Sequence, residues 1–430
     1  MEQYADLLNN LRSPAQAAAF SALYGEMEGT ALLQVERYTR IVRTFAERFG
    51  EKEGLRFFSA PGRTEIGGNH TDHNRGQVLA ASITLDTIAA VHPTNDGVIT
   101  LYSEGYDEAF TVDTSDLAKK PDERQTAALI RGVACRMKEL GHVVGGFDAA
   151  VTSNVLVGSG LSSSAAFEVL ICTILDGLYN GAVLDALTRA QICQWAENNY
   201  MDKPSGLMDQ TASASGGMVH IDFGPATPQV RRLDFDFAKK GYAVVVVATG
   251  TSHDDLTNEY AAIPVEMRAV AAALGGKVLY DVLCGQVLAD IKFLREAAGE
   301  RAVLRALHFC DENVRVQEMV EALAEGDERA FFEKIIESGE SSWKLLQNVY
   351  VGGGSDQSLA LALELSRRML RGKGAWRVHG GGFAGTILAF VPLTMLKEYT
   401  KYMEEIFGVG ACSVLGIRAQ GAVEVAIAGA

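Results

Sequence analysis

Val157-Gly158-Ser159-Gly160-Leu161-Ser162-Ser163-Ser164-Ala165-Ala166-Phe167-Glu168 joins a run of small residues to the apolar segment Ala165–Tyr179. The segment has the content of a buried helix. Gly158 and Gly160 open backbone conformations closed to other residues and let a ligand approach the main chain. A helix start presents unpaired N–H groups and the positive end of the backbone dipole. A glycine–serine turn opening a helix is therefore an anion site, with phosphate the usual anion. The three serines add hydroxyls for phosphate oxygens or a metal. A plain turn with a serine cap is the alternative for such a loop alone. No Gly-Lys-Ser/Thr follows, so this is not a Walker loop.

Working outward, Gly146–Asn154 reads as a strand feeding this turn, and Leu184–Met201 as a helix that carries Glu197. Lys203-Pro204-Ser205-Gly206 marks a turn, and Met208–Ser215 starts a further helix with Asp209 in its first turn. A charge-matched helix start is the plain account of Asp209. Upstream, the short strand Leu55–Ala60 leads into a dense polar patch from Pro61 to Gly76, which includes Arg63, Asn69, His70, Asp72 and His73. Polar residues between apolar strands read as a functional loop. His70, Asp72 and His73 could suit a metal by composition. No third anchor of the zinc kind is evident, so hydrogen bonding to a polyol ranks higher. Downstream, Asp254–Leu274 is a helix holding Tyr260, and a third glycine cluster runs from Arg377 to Thr386.

The whole chain has 430 residues, 48% of them hydrophobic, with a net charge of −15. That length suggests two domains with ample core. The acidic balance argues against nonspecific nucleic-acid or membrane binding, which needs basic surface. Cys135, Cys172, Cys193, Cys284, Cys310 and Cys412 are scattered, with no C-x-x-C pair, and read as buried thiols of a reducing compartment, not a disulfide or zinc framework. No secretory signal and no run of 18 apolar residues is evident, so a cytoplasmic protein, monomeric or weakly oligomeric, is the expectation. The pattern divides into a helical extension (1–50), a first domain (51–233) and a second (234–430).

Together the three glycine clusters resemble the galactokinase family of the GHMP kinase superfamily, over roughly residues 55 to 430. Gly62-Arg63 through His70-Thr71-Asp72 is similar to the family signature Gly-Arg-x-Asn-x-Ile-Gly-Glu-His-x-Asp. Gly158-x-Gly160-Leu161-Ser162-Ser163-Ser164-Ala165 resembles the superfamily phosphate loop. Gly206-Leu207-Met208-Asp209-Gln210 and Gly381-Gly382-Phe383-x-Gly385 resemble two further blocks.

The resemblance implies an α+β GHMP kinase fold, with an N-terminal domain like ribosomal protein S5 domain 2 and a ferredoxin-like C-terminal domain. It implies an ATP- and Mg²⁺-dependent sugar 1-kinase, with the sugar and MgATP as its partners. Asp209 would be the catalytic base and Arg63 its charge-neutralising neighbour. Asn69, His70, Asp72, Gly206 and Tyr260 would hold the sugar. Gly158, Ser159, Gly160, Leu161, Ser162, Ser163 and Ser164 would hold the nucleotide. Glu197 with Ser163, or its neighbour Ser162, would hold the metal. Galactose is the expected acceptor. Asn69 stands where the family has a glutamate that receives the sugar 6-hydroxyl, Glu65 where it has asparagine. That leaves a related hexose or a hexuronate as the alternative. A non-catalytic sugar sensor is a third reading, opposed by the presence of Arg63, Asp209 and Ser162–Ala165.

Overall fold

The computed structural model describes residues 4–26, 29–155, 160–203, 205–250, 257–351, 356–383 and 385–428. Its strands form two sheets. Strands β1 (Arg56–Gly67), β2 (Gln77–Pro93), β3 (Val98–Ser103), β4 (Phe110–Asp113), β5 (Phe147–Ser153), β6 (Met218–Asp222) and β7 (Gln229–Leu233) belong to the first. Strands β8 (Tyr242–Ala248), β9 (Ala375–Val378), β10 (Thr386–Pro392) and β11 (Cys412–Leu415) make the second, in the order β11-β8-β10-β9. With β12 (Val423–Glu424), the first sheet runs β12-β1-β2-β5-β3-β4, and β6 and β7 continue from β2. Its edge strand β12 returns from the chain's end to pair with Phe58 and Ser59. The two sheets otherwise divide between Leu233 and Tyr242.

Apolar alternation explains which face is covered by what. Phe58, Ala60, Ala89 and Val91 pack under the helices Gln125–Glu139, Ser163–Tyr179 and Ala186–Tyr200. Phe57, Ile88 and Ala90 point to the opposite face. There the N-terminal helices Pro14–Tyr24 and Thr30–Phe49 bury Phe20, Tyr38, Ile41 and Phe45 against them. A third cluster joins Ile66, Leu79 and Leu161 to Val244, Phe390, Val316 and Met319, so the two sheets share one continuous core. The site described below lies along that seam.

Two expectations need correction. The polar patch was expected as a loop from Pro61 onward. Instead β1 continues through Gly67, with Arg63, Thr64 and Glu65 opposite Ser82, Ala81 and Ala80. A register shift between Pro61 and Arg63 accommodates the proline, which donates no ladder hydrogen bond, and a second shift lies between Glu65 and Gly67. The cysteines were expected unpaired, yet Cys284 and Cys310 form a disulfide between the helices Cys284–Ala289 and Glu300–Glu325. Helix packing, not sequence spacing, brings them together. Cys135, Cys172, Cys193 and Cys412 are free thiols. Among the described residues, no helix is long and apolar enough to cross a membrane.

Candidate active site

Arg63 projects from β1 and grips Asp209 in a fork, Nε to Oδ1 and Nη2 to Oδ2, each at 2.7 Å. This bidentate geometry is the strong form of the charge-assisted pair. Asp209 lies in the first turn of the helix Met208–Ser215, where the backbone dipole also favours an anion. Ser162 Oγ donates to the same carboxylate. Burial alone would raise the Asp209 carboxyl. The charge and hydrogen bonds of Arg63, the Ser162 hydroxyl and the charge of Lys203 reverse that and hold it below the usual carboxylate range. The Asp209 side chain keeps 30% of its surface exposed, so part of it remains open to solvent.

The serine turn is tied to the same arginine. The Arg63 backbone N–H donates to Leu161 O at 3.0 Å, and its Nη1 donates to Gly160 O. Gly160 has φ +71°, and a Cβ there would sit 3.1 Å from His379 Nδ1, so glycine suits both the conformation and the space. Ser162 also has positive φ, after which the helix begins at Ser163. Gly158 and Ser159, expected to hold phosphate, lie outside the described residues. Gly160, Leu161, Ser162, Ser163 and Ser164 stand together at the helix start.

The serine facing Glu197 is Ser164, whose Oγ lies 3.5 Å from Glu197 Oε1. Ser163 had been expected there, with Ser162 as the neighbouring choice. Ser162 is instead committed to Asp209. Lys203 Nζ pairs with Glu197 Oε1 at 2.6 Å. Gln210 Nε2 donates to Glu197 Oε2 at 3.0 Å and to Glu168 Oε2 at 3.3 Å. Burial and the nearby charge of Glu197 push the Glu168 carboxyl well up. Glu168 Oε1 and Gln210 Oε1 are buried acceptors with no donor among the described residues. A hydroxyl, two carboxylates and orphaned oxygens are the donors a hard, oxygen-seeking cation takes. Glu168 was missed from sequence, although it lies four residues after Ser164 and hence on the same helix face.

On the far side of Arg63, the signature turn gathers His70, Asp72 and Gly206. A Cβ on Gly206 would come within 1.7 Å of Asp72 Oδ2, so only glycine lets this backbone close on that carboxylate. The charge of Asp72 is also felt at Arg63. His70 Nε2 lies 3.0 Å from Gly381 O. A carbonyl only accepts, so Nε2 carries the hydrogen. Burial, then the charge of His73, lowers the His70 pKa to about 3, so the ring is neutral and Nδ1 is a bare acceptor. Tyr260 donates to Gly382 O at 2.7 Å, placing it beside the same glycine segment as His70.

Asn69 departs from expectation. It is wholly buried and its amide is bonded within the protein, not turned toward the opening. His70 and His73 stack with centroids 6.0 Å apart, and among the described residues no three His, Cys, Asp or Glu side chains gather as a metal-holding group.

A galactokinase galactose-binding signature matches residues 43–93, and the GHMP kinases N-terminal domain matches residues 128–217. The chain is 33% identical to a galactokinase of Streptomyces coelicolor over 376 residues, covering 85% of this chain and 93% of that protein. It is 31% identical to the Homo sapiens galactokinase over 389 residues, covering 88% and 94%. In structure it matches Lactococcus lactis galactokinase complexed with galactose with a TM-score of 0.80, at 23% identity, covering 90% of this chain and all of that one. A mevalonate kinase matches with a TM-score of 0.59 at 15% identity, covering 85% of this chain and 99% of that one. The architecture is the GHMP kinase fold, and the chain belongs to the galactokinase family.

Proposed function

We propose that this protein is an ATP-dependent galactose 1-kinase, transferring the γ-phosphoryl group of ATP to the anomeric hydroxyl of galactose. The observation that carries this reading is the forked Arg63–Asp209 pair, bonded on one side to the serine turn and flanked on the other by Asp72 and Gly206. A phosphate-binding turn and a polyol-binding turn thus meet at one ionised carboxylate. Galactokinases related over most of the chain support galactose as the acceptor.

Phosphoryl transfer asks for position and charge dispersal more than covalent chemistry. Asp209, ionised beside Arg63, is a weak base. It orients the hydroxyl by accepting its hydrogen bond and takes the proton late, as the new P–O bond forms and the bridging oxygen leaves with ADP. Arg63 keeps Asp209 ionised and offsets charge on the acceptor side. His70 Nδ1 and the Asp72 carboxylate accept from sugar hydroxyls. The helix start at Ser163 stabilises phosphate charge. Ser164 and Glu197, with Glu168 behind, suit Mg²⁺, which would screen the phosphate oxygens when bound.

The test is ADP release with MgATP and a panel of galactose, galacturonate and arabinose, with the phosphorylated position read by NMR. Galactose-dependent release with phosphate on O1 is expected. ATP turnover that ignores sugar, or a strong preference for galacturonate, would overturn the reading.

A further inference from the structure

We infer that Glu65, Asn69 and Arg377 act as one charge-balanced unit that positions the His70–Asp72 turn, and that Asn69 is a positioning residue and not a sugar contact. This deepens the galactokinase reading above and rests on it.

A side-chain amide offers two N–H donors and two acceptor lone pairs. Asn69 has used all four. Nδ2 donates to Glu65 Oε1 at 2.9 Å and to Gly380 O at 2.7 Å. Oδ1 accepts from Asn348 Nδ2 at 2.8 Å and Ser342 Oγ at 3.2 Å. With no exposed surface, the amide has nothing left for a ligand. Glu65 Oε1 also accepts from Arg377 Nη2 at 2.8 Å, and Arg377 Nη1 donates to Ile66 O at 2.6 Å. The Asn69 backbone carbonyl faces His308 Nε2 at 2.9 Å. The next residue, His70, sits at φ 58° and bonds Gly381. Groups drawn from residues 308–381 therefore fix both the side chain and the backbone just ahead of the two residues proposed to hold the sugar.

The contact also joins two departures from the family signature. Glutamate stands at 65 where the signature has asparagine, and asparagine at 69 where it has glutamate. Because the two side chains touch, these are one transposition that leaves a single carboxylate to face Arg377. Burial lifts the Glu65 carboxyl to about 7 against the pull of Arg377 and Arg63. A site that resists ionising one carboxylate will not accept two.

The test is an isosteric cycle of wild type, Asn69→Asp, Glu65→Gln and Glu65→Gln/Asn69→Asp, assayed at about pH 8, above the Glu65 titration. Asn69→Asp sets a carboxylate against two acceptors, Glu65 and Gly380 O. It is expected to raise KM for galactose by about tenfold or more while KM for ATP and kcat move by less than about threefold. The double variant restores one carboxylate and should return KM to within about threefold of wild type. An unchanged KM in Asn69→Asp, or a double variant no better than the worse single, overturns the inference. Thermal melting of the same four proteins reads the coupling without turnover, and the double variant should melt above Asn69→Asp. A wild type inactive on galactose would sink the functional reading, and the melting order would still decide this one.

Discussion

Asp86 and Asp209 are both carboxylates gripped by arginine, and both are held below the usual carboxylate range. In each case burial pushes the pKa up and arginine charge more than reverses it. Asp86 is completely buried and accepts from Arg37, Arg418, Ser59 and Tyr24. Those partners come from the N-terminal helices, from β1 and from the chain's end, so this carboxylate fastens the extension to the sheet. Asp209 has one arginine, one serine and a part open to solvent. An anion whose lone pairs are all spoken for is structural. The same anion with part of it left open to solvent is fit to take a proton.

The comparison breaks if the two aspartates fail in the same way. Asp209→Asn should lower kcat by ~10²–10⁴, the usual contribution of a general base, while the melting temperature falls less than it does when Asp86 is replaced. Steady-state ADP release beside a melting curve checks both halves. Asp86→Ala should do the reverse. It strands Arg37 and Arg418 in a dry interior, destabilising the fold by ~3–5 kcal/mol, with near-normal turnover in the fraction that remains folded. Urea unfolding measures this, and a loss under ~1 kcal/mol would show that the cluster does not fasten the extension.

Acid titration sharpens the same contrast. Both carboxyls have folded pKa values below their unfolded ones. Each therefore contributes stability that is present above about pH 4 and is lost as pH falls through the lowered value. Asp86 has two arginines to Asp209's one, so Asp86→Ala should flatten the acid limb of stability more than Asp209→Asn does. Turnover should show no loss from Asp209 protonation between about pH 5 and 8.

How much of this was legible depended on how local each signal was. The helix after the glycine–serine turn and Asp209 in a first turn are each set within ten or so residues, and these two elements are found where they were read. Arg63 was legible as a motif residue, though its setting on a strand was hidden because Pro61 and the glycines read as loop chemistry. Which serine meets which carboxylate depends on the phase of one helix, which begins after the left-handed Ser162; Ser164 faces Glu197 and Ser162 faces Asp209. Asn69 looked like a sugar ligand because its partners, Ser342, Asn348 and Gly380, lie some 270 or more residues away. The same distance concealed Asp86, whose partner Arg418 is 332 residues on, and left the purpose of residues 1–50 unread.

The smallest expected difference isolates the exposed part of Asp209 itself. Tyr24→Phe and Ser162→Ala each delete one hydroxyl donor, from Asp86 and Asp209 respectively. Tyr24 Oη lies 2.7 Å from Asp86 Oδ2 and 2.9 Å from Tyr38 Oη, so its loss leaves buried groups short of a partner that water cannot supply. Stability should fall by ~1–3 kcal/mol. Ser162 makes no side-chain cap to its own helix, so among the described residues Ala there removes only the bond to Asp209. Water can replace a donor at a partly exposed carboxylate, and stability should shift by less than ~0.5 kcal/mol. What should change is the acid limb of kcat, which moves to higher pH because one of the groups holding the Asp209 carboxyl down is gone. Equal stability losses in the two variants, with an unmoved acid limb, would mean that Asp209 has no part open to solvent.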